Sequence, residues 1–218
     1  MARIVRKVRT VRTVHTGGAE GGFSLIEVLV SIMIVVVGLL GLAGLQARAQ
    51  VAEFESYQRA QALVLLYDMM DRLNNNRTTA SCFAVTTAST FYGDATNPAS
   101  IACSASSPAN NVLATGSMTA WHNLLQGSAE LKGAGATQVG AMIGARGCVT
   151  YNAATEYLDA DTSTPIGGTG EYTIAVSWQG MADTFAPTVS CGGAAQYGSE
   201  TKRRTVWATL RIGTLAAR

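Results

Sequence analysis

The chain has 218 residues with 16 basic and 14 acidic side chains, a net charge of +2. Five of the basic residues (Arg3, Arg6, Lys7, Arg9, Arg12) and one acid (Glu20) fall in the first 22 positions, so the remainder keeps 11 basic and 13 acidic groups, net about −2. Bulk attraction to nucleic acid is thereby excluded as a property of the main body of the protein.

In chain order, the basic stretch comes first and runs to a Gly21-Gly22 pair. Phe23-Ser24-Leu25-Ile26-Glu27-Val28 follows and opens an apolar run reaching Leu45, long enough to cross a bilayer as a helix. Basic flanks favour the cytoplasmic side, which places residues after Leu45 outside the membrane. Glu27 is the one acid in the run. A carboxylate costs roughly 2.5–3.5 kcal/mol at the centre of a spanning helix and less near an end, so a partner for it is expected. A secretory signal would have a shorter apolar segment, and a plain anchor would not need the Gly-Phe-Ser-Leu-Ile-Glu string. Gly38, Gly41 and Gly44 recur every third residue. Two readings stand side by side: close helix packing through small residues, or a weak section that can stretch or melt.

From Gln46 polar residues enter at helical spacing. Ala62, Leu66, Met69 and Leu73 define one buried stripe, while Arg48, Glu55, Arg59 and Arg72 point elsewhere. The helix is predicted to end near Asn74-Asn75-Asn76, which makes it a rod of roughly 75–80 Å at 1.5 Å per residue. Residues 77–116 read as a long loop with short structured pieces. A short helix is predicted around Met118–Gln126, capped by Ser117 or Thr119, with Trp121, Leu124 and Leu125 inward. Three strands follow from alternation, at 147–152, 172–178 and 206–212, each with one buried face. The expected fold class is α+β: a long amino-terminal helix, half membrane or filament segment and half amphipathic, packed on a small antiparallel sheet. The expected divisions are 1–22, 23–45, 46–76 and a head at 77–218.

Cys82, Cys103, Cys148 and Cys191 all follow the apolar run, on the side where disulfides persist. Three pairings are possible. Nearest-in-sequence pairing, Cys82–Cys103 and Cys148–Cys191, crosses no loops and is favoured, each bridge stabilising by roughly 3–4 kcal/mol. No Cys-x-x-Cys is present and, after residue 22, His122 is the only histidine, so no metal or cofactor site is expected. His122 has no triad partners nearby and reads as a surface or cap residue; no G-x-S-x-G occurs, and no enzyme is expected. Asp159-Ala160-Asp161 starts like a calcium loop but lacks the glycine at the sixth position and the glutamate at the twelfth, and reads as a solvated turn. Lys202-Arg203-Arg204 beside Trp207 is the only candidate binding patch, and also reads as a solvated turn.

The string Gly22-Phe23-Ser24-Leu25-Ile26-Glu27-Val28 resembles the class III signal of type IV pilins and of the pseudopilins of type II secretion. Val37 to Gln46, Met70 to Asn76 and Tyr172 to Trp178 look most like PilV-type minor pilins of Gram-negative type IV pili. The resemblance implies that a prepilin peptidase cuts between Gly22 and Phe23, removing 1–22 as a leader, and methylates the Phe23 amine. It implies that Glu27, then the fifth residue, meets the amino terminus of a neighbouring subunit, or its own Phe23 amine at another stage. The implied partners are the peptidase, other minor pilins, the major pilin and the inner membrane, with no small-molecule substrate. The implied location is a single-pass inner-membrane protein with a periplasmic head, later in a pilus at the cell surface, acting in assembly, motility or attachment. The alternatives are a type II secretion pseudopilin, or an adhesin or DNA-binding tip module on the same anchor.

Overall fold

The computed structural model describes residues 21–84, 86–87, 90–94, 103–133, 137–138, 140 and 142–213. The predicted leader lies outside the described residues up to position 20. By its contacts the chain divides into two compact units, 1–47 and 48–218. A 51-residue helix, α1 (Leu25–Asn75), contributes to both.

Within the first unit, the helix residues are exposed throughout. Its most apolar 18-residue window has a mean hydropathy of 2.8 and none of it is buried, so this is a helix long and apolar enough to cross a membrane.

In the second unit, α1 lies on a three-stranded antiparallel sheet. The strands are β3 (Arg146–Asn152), β4 (Glu171–Gln179) and β5 (Arg203–Arg211), with β4 in the middle. The fold is therefore α+β, a long amino-terminal helix packed on a small antiparallel sheet. A two-stranded ribbon, β1 (Leu131–Lys132) with β2 (Thr137–Gln138), stands apart from it. The predicted stripe Ala62, Leu66, Met69 and Leu73 is buried, joined by Gln58, and shares one core with Tyr172, Ile174, Val176 and Trp178 of β4. Each large apolar side chain in that stripe stabilises the fold by about 1.5–3 kcal/mol through area removed from water.

The central strand departs from simple alternation. Its second face is also covered, because Ala175 lies against Cys148, Cys191 and Phe91. Cys148 is bonded to Cys191, with Cα atoms 5.7 Å apart, and this draws the segment around residue 191 over that face. Cys82 is bonded to Cys103, Cα atoms 5.4 Å apart.

The predicted loop after Asn76 is shorter than expected at both ends. A 3-10 turn (Arg77–Phe83) follows α1 directly and buries Thr79, Ala80 and Phe83. Helix α2 runs from Pro108 to Leu125, starting ten residues before the predicted Met118. Ser107, not Ser117 or Thr119, caps it by accepting from the Asn110 N–H at 3.3 Å, and Pro108 occupies the first turn, where its missing N–H costs nothing. Asn111 adds a second clasp, its Oδ1 accepting from Ser106 N–H at 3.0 Å. The first half of α2 is weak in intrinsic propensity, with two asparagines and Gly116, which hid it from the pattern. Tertiary contacts hold it: Ala114, Met118, Trp121 and Leu125 are buried, Leu124 only partly. The Trp121 indole N–H donates to Leu65 O at 2.9 Å, and Arg72 of α1 donates to Ser117 O at 3.0 Å.

Candidate functional site

The candidate site is the entry to α1. Gly21, Gly22, Phe23 and Ser24 precede the helix as exposed, non-helical chain, and Phe23 is 83% exposed. Ser24 O accepts from the Glu27 and Val28 N–H groups at 3.0 and 3.3 Å, so the first helical turn closes on it. The Gly22–Phe23 bond is thus two residues outside the helix, in exposed chain. A Cβ built on Gly22 meets no atom within 4 Å.

Glu27 lies in the first turn of α1, where the free N–H groups favour a negative charge by about 0.3–1 kcal/mol. Among the described residues nothing donates a hydrogen bond to its carboxylate. Its backbone carbonyl accepts from Ser31 Oγ at 2.7 Å. The carboxylate therefore stands at the edge of an exposed apolar surface with its lone pairs available to a group from outside.

The other residues singled out by sequence behave differently. His122 is not a surface residue: it is 4% exposed. Its Nδ1 accepts from the Gly93 N–H at 3.1 Å, which fixes the neutral tautomer with the proton on Nε2. Sequence offered no signal for this, since the partner is 29 positions away. Burial holds its pKa below the ordinary imidazole value; nearby Asp94 pulls it up and Arg146 pushes it down, and these two are paired at 3.3 Å. The unfolded chain therefore takes up this proton first as pH falls. Stability from the neutral ring is present above the unfolded pKa, near 6.5, and is lost as pH drops through the lower folded value. A protonated Nδ1 would also face the Gly93 donor. His122→Asn keeps an acceptor near Nδ1 and does not titrate. Its melting temperature is expected to fall less than the parent's between pH 7 and pH 5, and equal falls would contradict this role.

The Lys202-Arg203-Arg204 run is not a solvated turn either. Arg203 is 4% exposed and pairs with Glu200 at 2.6 Å, while also donating to Val189 O at 2.7 Å. Arg204 pairs with Glu55 at 3.1 Å and donates to Ala182 O at 2.8 Å and Thr184 Oγ1 at 2.6 Å. Both guanidinium groups are used inside the fold, pinning the 181–191 segment, and Trp207 beside them is half exposed. Asp159 Oδ1 accepts from Asp161 N–H, Thr162 N–H and Thr162 Oγ1 at 2.9–3.0 Å, a turn closed on itself. Among the described residues no group of three or more His, Cys, Asp or Glu side chains is placed to hold a metal ion.

Comparison with family models, curated proteins and solved structures found no match for this chain.

Proposed function

We propose that the protein is a minor subunit of a type IV pilus, of the PilV type, made as an inner-membrane precursor and drawn into the filament after its leader is removed. One observation carries this reading. The Gly-Phe-Ser-Leu-Ile-Glu string sits at the exposed, non-helical entry to a helix whose apolar half is entirely unburied, with Glu27 in its first turn. An unburied apolar helix needs either lipid or other helices around it, and a filament supplies the second when the subunit leaves the first. Cutting after Gly22 leaves Phe23 with a charged amine. A buried carboxylate without a partner is strongly disfavoured, and a neighbour's amine is a partner of opposite charge in a shared apolar core. Registering one helix against the next is the consequence. The disulfide-bonded head then lies in the periplasm and later on the cell surface.

Glu27→Leu tests the contact. Removing the charge lowers the membrane cost, so insertion and processing should match the parent. The neighbouring amine is left unpaired, at about 3–5 kcal/mol if buried, which predicts at least about a tenfold loss from sheared pili at matched membrane levels. Equal incorporation of parent and variant would remove the carboxylate from assembly.

A further inference from the structure

Strand β5 is an edge of the sheet. Among the described residues β4 is its one paired neighbour, and the register runs unbroken from Gln179–Arg203 to Glu171–Arg211. The ladder fixes which backbone groups face outward. On β3, Gly147 exchanges both bonds with Tyr92 and Val149 exchanges both with Thr86 Oγ1, so its odd-numbered residues point away from β4. Its even-numbered residues bond to β4, and the antiparallel register carries this alternation across the sheet. On β4 the odd-numbered residues then face β3 and the even-numbered ones face β5. The bonds just past β4 agree: Gln179 N–H donates to Ile143 O at 2.9 Å, and Gly180 N–H donates to Lys202 O at 2.8 Å. On β5, therefore, Arg204, Val206, Ala208 and Leu210 bond inward. The N–H and C=O groups of Thr205, Trp207, Thr209 and Arg211 point out of the sheet edge.

The start of the strand is covered, since Thr184 N–H donates to Thr201 O at 2.8 Å and Val189 O accepts from Arg203. From Thr205 onward no described group bonds to the outward backbone. Edge strands are ordinarily blunted by a proline, a bulge, a central charge or short length. β5 has nine residues, no proline, no glycine and no bulge, and Thr205 to Leu210 is uncharged. Trp207 pairs across with Ala175, so it stands on the face away from the α1 stripe, half exposed.

Charge sits only at the two ends. Arg203 and Arg204 are paired with Glu200 and Glu55. Arg211 donates to Thr155 O at 2.8 Å and lies 5.1 Å from the Tyr157 ring centroid, and no carboxylate pairs with it among the described residues. From this edge we infer that β5 takes up an extended segment of another protein as an added antiparallel strand, uncharged where it crosses Trp207 and acidic where it meets Arg211. A second copy of the chain is a poor occupant. Antiparallel pairing along the whole strand sets Arg203 opposite Arg211 at both ends, and like charges directly opposite destabilise. The inference is independent of the helix entry and of the pilus reading.

The test uses the full chain in detergent micelles, with amide exchange followed residue by residue by NMR. In the free protein Thr205, Trp207 and Thr209 are expected to exchange at least about tenfold faster than Val206, Ala208 and Leu210. The probe is the blocked peptide Glu-Thr-Val-Thr-Val-Thr-Val, whose glutamate lies opposite Arg211. A Kd of roughly 0.1–1 mM is expected, with the three outward amides slowed at saturation. N-methylation of its first two valines, whose N–H groups face β5, should abolish binding; N-methylation of its threonines should not. Replacing its glutamate by lysine should weaken binding at least about fivefold, and Arg211→Gln should remove that difference. Thr209→Pro deletes one outward N–H, which an edge tolerates, so it should melt within a few degrees of the parent and lose the peptide. Equal binding of the two N-methylated peptides, no binding of the unmodified one, or self-association that protects the same amides without peptide overturns the inference.

Discussion

Gly22→Glu is expected to leave the protein entirely as its uncut, full-length precursor in the membrane. The position is exposed and a side chain built there meets nothing within 4 Å, so glutamate costs the fold nothing. Any effect must therefore arise where another protein reads this residue. In the pilin-type reading, the last leader residue enters the peptidase together with the bond to be cut, and a bulky charge there blocks entry. The loss should be all-or-none, with precursor and processed forms differing by the 22 leader residues on a denaturing gel. Processing of the glutamate variant at the parent's rate would contradict the placement of the cut.

Gly147→Ala is expected to be the most damaging single methyl in the head. Its Cβ would stand 2.1 Å from Trp121 Cη2 and 2.6 Å from Leu125 Cδ1. Neither side can yield easily. Gly147 exchanges two backbone hydrogen bonds with Tyr92, each 2.9 Å. Trp121 is tied to Leu65 O and packs edge-on against Tyr92, ring centroids 5.0 Å apart. Overpacking of a fixed core costs about 1–3 kcal/mol and this site belongs at the top of that range, which lowers the melting temperature by roughly 6–12 °C. The same substitution at Gly116, exposed within α2 with open space around it, should instead stabilise by about 0.5–1 kcal/mol. Thermal unfolding of both variants in one detergent decides the matter. A Gly147 variant as stable as the parent would mean that Trp121 does not hold the position described.

The contrast between these two glycines also marks what sequence could and could not convey. Neither glycine has sequence neighbours that mark it, Thr115 and Ser117 around one and Arg146 and Cys148 around the other, and what makes Gly147 intolerant of a methyl is Trp121, 26 positions away in the chain. The features that were legible are periodic or local. The stripe Ala62 to Leu73 and the alternation of Tyr172 to Trp178 locate the core on both sides, because burial on one face imposes a period of 3.6 or 2. The entry to α1 was legible as a string of six adjacent residues. The features that were hidden depend on distant residues: His122 on Gly93, Arg203 on Val189 and Pro187, the second face of β4 on the segment carrying Cys191. The early start of α2 was hidden for a different reason. Its residues favour a helix only weakly, and the contacts that fix them are made with α1 and the sheet.

In the proposed function the mature chain is built into a filament with Phe23 at its amino terminus. Mass spectrometry of pili sheared from cells and purified away from membrane tests it most directly. The expected result is a low-abundance subunit whose first peptide begins at an N-methylated Phe23, with Cys82 bridged to Cys103 and Cys148 to Cys191. Absence of the chain from filaments, with all of it recovered in the membrane, or an amino terminus at any other residue, would contradict the account.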